Sequence, residues 1–208
     1  MPERALVDRG AGRRCARGVA ISTVAPKRAL ELYDRSLNMA AASDPGASPA
    51  VATVHNRARA LELIGRFAQA QSGYELALRL ASPSRNATFY AFCLLGLASV
   101  AERSGDRVAA ARYLAQVMEL QGSFQSADNP VLMRRAVTQG RLDLTDGKLD
   151  EARGLFDSVL DRHEKNTVTI LAGLGKAEVE LVGSDAAAAV AAARTASGLA
   201  QSLQGTSE

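Results

Sequence analysis

The sequence predicts an all-α protein: a right-handed superhelical array of antiparallel helix pairs, without strands. Three observations carry that expectation. Apolar residues make up 47% of the 208-residue chain but aromatic residues only 4%, there is no Trp, and Ala dominates the apolar share. Such a composition suits closely packed helices better than layered strands. Next, a spacing recurs: Gly65 in GRFAQAQSGYELALRL is followed five, nine and twelve residues on by Ala70, Tyr74 and Ala77. The same offsets lead from Gly105 to Ala110, Leu114 and Val117, and from Gly147 to Ala152, Phe156 and Val159. Steps of four and three place each trio on one helical face, with the glycine as the turn before it. Finally, a small residue stands seven positions before each glycine, at Ala58, Ala98 and Gly140. Small residues there let an upstream helix approach its partner closely.

The elements come in this order along the chain. Residues 1–26 form a basic leader rich in Gly and Arg, with no sustained apolar period, and are expected to be poorly ordered. A repeat array spans residues 27–205. It opens with a half repeat at 27–42, where Ala29, Tyr33 and Ser36 repeat the second-helix pattern. Helix pairs are expected at about 49–81, 86–121, 130–163 and 167–203, with glycine-to-glycine shifts of 40 and 42. The connectors ASDPGASP, SPSRN and FQSADNP are rich in turn formers. In the fourth pair, LAGLGKAEVELVG followed by SDAAAAVAAARTA repeats the pattern displaced by about one residue. The expected core is Tyr74, Ala77, Leu94, Leu97, Ala98, Leu114, Phe156 and Val159.

A helix pair with these offsets resembles the tetratricopeptide repeat (TPR), whose period is about 34 residues. The longer repeats here, and the phrase VATVHNRARALELIGRF, resemble the kinesin-light-chain-like subgroup. Two residues depart from the pattern: Arg57 stands at a place that is usually apolar, and Asp143 at one usually filled by a larger apolar or aromatic residue. The array also resembles the C-terminal repeat region of bacterial serine/threonine protein kinases, through LLGLASVAERSGDRVAAARYL and ARTASGLAQSLQG. No kinase element accompanies it. The chain has no Gly-rich phosphate loop, no HRD catalytic loop and no DFG.

Charge and composition narrow the function classes. The pI is about 9.1 and the net charge +3, but seven basic residues against Glu3 and Asp8 lie within residues 1–28, leaving 18 basic and 20 acidic residues in the rest. The array therefore has no net attraction for phosphate, and no aromatic residues interleave with the leader arginines, so no nucleic-acid partner is expected. Cys15 and Cys93 are far apart and form no CxxC pair, which fits a reducing, cytoplasmic location. No apolar run reaches the length of a signal peptide or a membrane span.

Nor does the sequence suggest an enzyme. His55 and His163 fall in different repeats, without metal-ligand spacing, so neither a metal nor a cofactor is expected. Asp150 and Glu151, and Asp143 with Asp146, fall beside helix starts, where they favour the macrodipole, or on a solvated face. Ser84 and Ser104 stand in turns without a triad context.

The TPR resemblance implies a non-catalytic scaffold that binds a peptide or protein segment in a concave groove lined by first helices. The matching positions are His55, Asn56, Arg59, Ser99, Glu102, Arg103, Arg134, Thr138, Arg141 and Lys176. Their basic lean suggests an acidic or carboxylate-bearing ligand. The same residues also fit the solvated side of amphipathic helices. Leu95 and Gly96 stand where the clamp of chaperone-binding TPR proteins needs polar residues, which argues against that ligand class. The final stretch, with Ala188, Ala192, Leu199 and Leu203 on offer, and the leader next to the half repeat suggest uncapped array ends open to self-association, or a piece of a longer array. The kinase resemblance implies the alternative role: a regulatory or substrate-docking repeat region.

Overall fold

The computed structural model describes residues 25–83, 86–124 and 129–204. The leader up to residue 24, with Cys15, lies outside the described residues, as does Ser84. The described residues are all-helical, without strands: α1 (Pro26–Ser43), α2 (Val51–Leu63), α3 (Phe67–Leu80), α4 (Ala87–Arg103), α5 (Arg107–Glu119), a 3-10 turn (Gln121–Ser123), α6 (Pro130–Thr145), α7 (Leu149–Leu160), α8 (Thr167–Val182) and α9 (Ala186–Gln204). The all-α class is as expected, and consecutive helices contact one another.

Each pair is closed by the same turn. Gly65, Gly105 and Gly147 have φ of 80°, 82° and 77°, the left-handed region that a side chain rarely adopts. At the first, Arg66 N–H donates to Leu61 O at 2.9 Å and Gly65 N–H to Glu62 O at 3.0 Å, a Schellman closure. The pattern recurs as Asp106 to Ala101 at 2.9 Å with Gly105 to Glu102 at 3.0 Å, and as Lys148 to Asp143 at 2.8 Å with Gly147 to Leu144 at 3.1 Å. In the fourth pair Ser184, with φ 67°, takes the glycine's place: Asp185 N–H donates to Glu180 O at 2.9 Å and Ser184 N–H to Leu181 O at 3.2 Å. The one-residue displacement is thus located, since the turn is centred on Ser184 and not on Gly183.

Four helix starts are fixed by short polar caps, which satisfy amides that have no partner within the helix. Asp106 and Asp185 accept from Ala109 and Ala188 N–H at 2.9 Å, opening α5 and α9. Asn129 accepts from Val131 N–H at 2.9 Å and Asn166 from Thr169 N–H at 3.0 Å, opening α6 and α8. Pro26 and Pro130 sit in first turns, where a missing N–H costs nothing.

The described chain forms two compact units, one up to Gly96 and one from Leu97 onward. In the first, Tyr74 of α3 is fully buried and its ring lies so close to Gly96 that a Cβ there would overlap it. Gly73 brings α3 against α2, with a Cβ at that position falling 2.9 Å from Ala58 Cβ. Val54, Ala77 and Cys93 form a cluster closed by Leu37, Val51, Leu78 and Leu80. Arg57, the first departure from the repeat pattern, reaches back to Asp34 of α1 at 2.6 Å.

In the second unit, Phe156 of α7 is the fully buried centre, packed with Met133, Val137, Ala152, Val159, Ala172 and Val179. Its ring fills room left by two glycines: a Cβ on Gly140 would fall 2.9 Å from it, and one on Gly175 would overlap it. The fourth pair closes through alanines, with a Cβ on Gly173 falling 3.0 Å from that of Ala196. Gly73 against Ala58, Gly140 against Phe156 and Gly173 against Ala196 lie at matching distances either side of their turns, so the helices of the first, third and fourth pairs run antiparallel. Ala189, Ala192 and Ala196 are the buried residues of α9, whereas Ala188, Leu199 and Leu203 are half-buried; Ala192 is therefore not part of an open face. All eight expected core residues are buried.

Candidate functional site

The residues assigned to a groove divide by burial, and most do not have the exposure that a groove requires. In the first unit His55, Asn56 and Arg59 of α2 are all buried. The His55 ring lies 5.3 Å from Tyr74, 6.4 Å from Phe89 and 6.2 Å from Phe92, so three aromatic rings enclose it. Its Nδ1 is 3.8 Å from Cys93 Sγ. Burial pushes the Cys93 thiol up to about 12, so it stays protonated beside the ring. On the same helix the Glu62 carboxylate, also buried, accepts a 2.7 Å hydrogen bond from Tyr74 OH. The buried Asn56 Oδ1 accepts no hydrogen bond from the described residues. These polar groups serve the packing of α2 against α3 and α4.

In the second unit Arg134 and Thr138 are buried as well, and the Thr138 hydroxyl donates to Arg134 O at 3.0 Å. Both were expected on an open wall. α6 contacts α5, α7 and α8, and neither residue is open to solvent there. Ser99 and Arg141 are half-buried and Arg103 is exposed. Arg141 forms a fork with Glu102 of α4 at 3.2 and 3.5 Å, and lies 3.9 Å from Glu178 of α8. Lys176, two residues from Glu178, reaches the other way, to Asp157 of α7 at 2.6 Å.

The acidic partners were not read from the sequence as a set. Each lies in a different repeat from its base. One signal was present: Asp34 and Asp157 stand at one register of their second helices, and Arg57 and Lys176 at one register of the first helices that come next. The same bridge therefore forms twice. Arg153 belongs to a related set, pairing with Glu180 at 2.9 Å and Asp150 at 2.5 Å, and these carboxylates hold its pKa above the usual guanidinium value. Asp143, the second departure, is buried, accepts from Gln139 at 3.0 Å and lies 4.0 Å from Lys148. Burial lowers the pKa of nearby Arg135, against the opposing charge of Asp143.

Carboxylates and guanidinium groups join helices, and tilted and edge-on rings surround His55. Among the described residues no group of three or more His, Cys, Asp or Glu side chains is placed to hold a metal ion, and no helix is long and apolar enough to cross a membrane. His163 is exposed at the end of the third pair, with φ 53°. In comparisons with known proteins, no family model matches the chain, and no curated protein or solved structure matches it.

Proposed function

We propose that the chain is a non-catalytic interaction scaffold, a TPR-like right-handed array that binds a segment of another protein along its first helices. One observation carries this reading. Arg141 joins Glu102 and Glu178, so α4, α6 and α8 adjoin as one wall within the second unit. Repeated helix pairs that bring like helices side by side create an extended surface, which is how repeat arrays bind their ligands.

On that wall the basic side chains that reach solvent are Arg103 and Arg141, with Ser99 and Glu178 beside them. Arg141 has one tight carboxylate partner, Glu102, and one looser and more exposed one, Glu178. A ligand carboxylate can replace Glu178 without leaving a buried charge unpaired, which favours an acidic segment. His55, Asn56, Arg59, Arg134 and Thr138 shape the first helices from within and make no direct contact in this reading, and Lys176 faces α7.

The test is recovery of partners from a cell lysate with the full chain and with Arg103→Ala/Arg141→Ala. The scaffold reading expects at least one partner lost from the double variant, and weaker recovery as salt rises. Identical partner sets would retire the wall as the contact surface. The second reading, a regulatory or substrate-docking region of a bacterial serine/threonine kinase, rests on the stretch 94–114, which forms α4, its turn and α5. Kinase motifs in an open reading frame upstream would favour it.

A further inference from the structure

In the earlier pairs, two rows of side chains on each first helix are withheld from full exposure. Ten residues before the turn residue stand His55, Leu95 and Val137, exposed by 8%, 0% and 4%. His55 meets Phe89, Phe92 and Cys93 of α4, and Val137 shares a cluster with Ala172 and Val179 of α8. Three residues before the turn stand Glu62, Glu102 and Leu144, none of them exposed. In the fourth pair the same two rows hold Leu174, 44% exposed, and Leu181, 66% exposed.

The second helices show the same contrast. Six residues after the turn, Arg153 of α7 reaches Glu180 of α8; the matching residue of α9 is Val190, 49% exposed. Nine residues after it, Tyr74 and Phe156 fill the room over Gly96 and Gly175; α9 has Ala193 there. Ten residues after it, Asp157 meets Lys176; α9 has the exposed Arg194. Leu174, Leu181 and Val190 thus flank a groove of the kind that α8 fills on α6 and α7.

We propose that the groove between α8 and α9 docks one amphipathic helix of a partner protein, set as the first helix of a further pair would be. The register specifies its chemistry. An apolar stripe covers Leu174, Leu181 and Val190. A large apolar side chain lies over Ala193, where the array elsewhere pairs an aromatic ring with Gly. An acidic residue faces Arg194, and a basic one faces Glu178 as Arg141 does. A second copy of the chain supplies no such helix: its first helices carry Arg57, Leu97, Gln139 and Lys176 in the row that would meet Arg194. The groove borders the Arg103–Arg141 wall at Glu178, but Leu174, Leu181, Val190 and Arg194 carry the proposal without it.

A peptide built from this chain tests the assignment: residues 167–183 with Gly175→Leu, Lys176→Glu and Glu178→Arg, labelled for fluorescence anisotropy and titrated with the full chain. Saturable binding at least tenfold tighter than that of the unsubstituted peptide is expected. Leu181→Lys in the chain, at a solvent-facing position, should weaken binding at least tenfold while leaving the helical circular dichroism unchanged. Arg194→Glu should shift preference to a peptide that keeps Lys176. No saturable binding, equal binding of the two peptides, or indifference to Leu181→Lys overturns the proposal. So does a chain that sediments as a dimer and becomes monomeric with Leu181→Lys, which would make a second copy the occupant.

Discussion

Tyr74 in the first unit and Phe156 in the second hold the same place, nine residues after a turn glycine, and each ring fills space left by a glycine of the next first helix. Their chemistry differs. Three residues before the first turn stands Glu62, buried and served by the Tyr74 hydroxyl; three before the third stands Leu144, packed on the cluster around Phe156. The second pair offers a third solution, with Leu114 in the aromatic place, Thr138 where the others have Gly, and Glu102 served by Arg141. Side-chain size is therefore matched to the next helix, and polarity to the residue three before the turn. A buried carboxylate left without its donor costs more than the hydrogen bond itself, so these residues vary as sets.

The comparison can be broken most severely at Phe156. Phe156→Ala opens a cavity between Gly140 and Gly175 that no side chain can fill, with an expected loss of about 3–5 kcal/mol in chemical denaturation. A loss below about 1 kcal/mol would mean that the ring is not the centre of the second unit. Tyr74→Phe should cost about 1–3 kcal/mol by removing the hydrogen bond that its hydroxyl gives the buried Glu62 carboxylate. Adding Glu62→Leu recreates the combination of the third pair and should recover at least half of that loss in a double-mutant cycle. At the turns, Ser184→Gly should stabilise by about 0.5–1 kcal/mol and Gly147→Ser should destabilise by a similar amount, because only glycine tolerates the left-handed backbone freely. The smallest effect is expected at the repeated ion pair. Lys176→Ala, with both partners partly solvated, should cost under about 1 kcal/mol and less at high salt.

How much of this was legible before the structure depended on where each residue's partner lies. Gly65, Gly105 and Gly147 announced their turns because a positive φ selects for glycine, and the alternation of small and large residues around them marked the core faces. Ser184 escaped because the neighbouring Gly183 looked like the better turn former, while the cap from Asp185 fixes the register one residue later. The candidate site was legible only as a set of polar positions. His55, Asn56, Arg59, Arg134 and Thr138 read as solvated because polar side chains on one helix usually are. For His55, what buries it comes from other helices: the rings of Tyr74, Phe89 and Phe92. A single sequence does not show which residue 20 or 40 positions away faces a given one, except where the register repeats, as it does for Asp34 with Arg57 and Asp157 with Lys176.

The seating of each ring on a glycine of the next helix has a consequence for how such an array can grow or be edited. An excision, duplication or graft with borders in the connectors parts Tyr74 from Gly96 and Phe156 from Gly175, so each transplanted ring meets a stranger. Borders placed in the turns, at Gly65 and Gly105 for example, carry ring and seat together as one cassette. The heritable module of this chain is therefore a second helix with the first helix of the next pair, offset by half a repeat from the hairpin that the eye picks out.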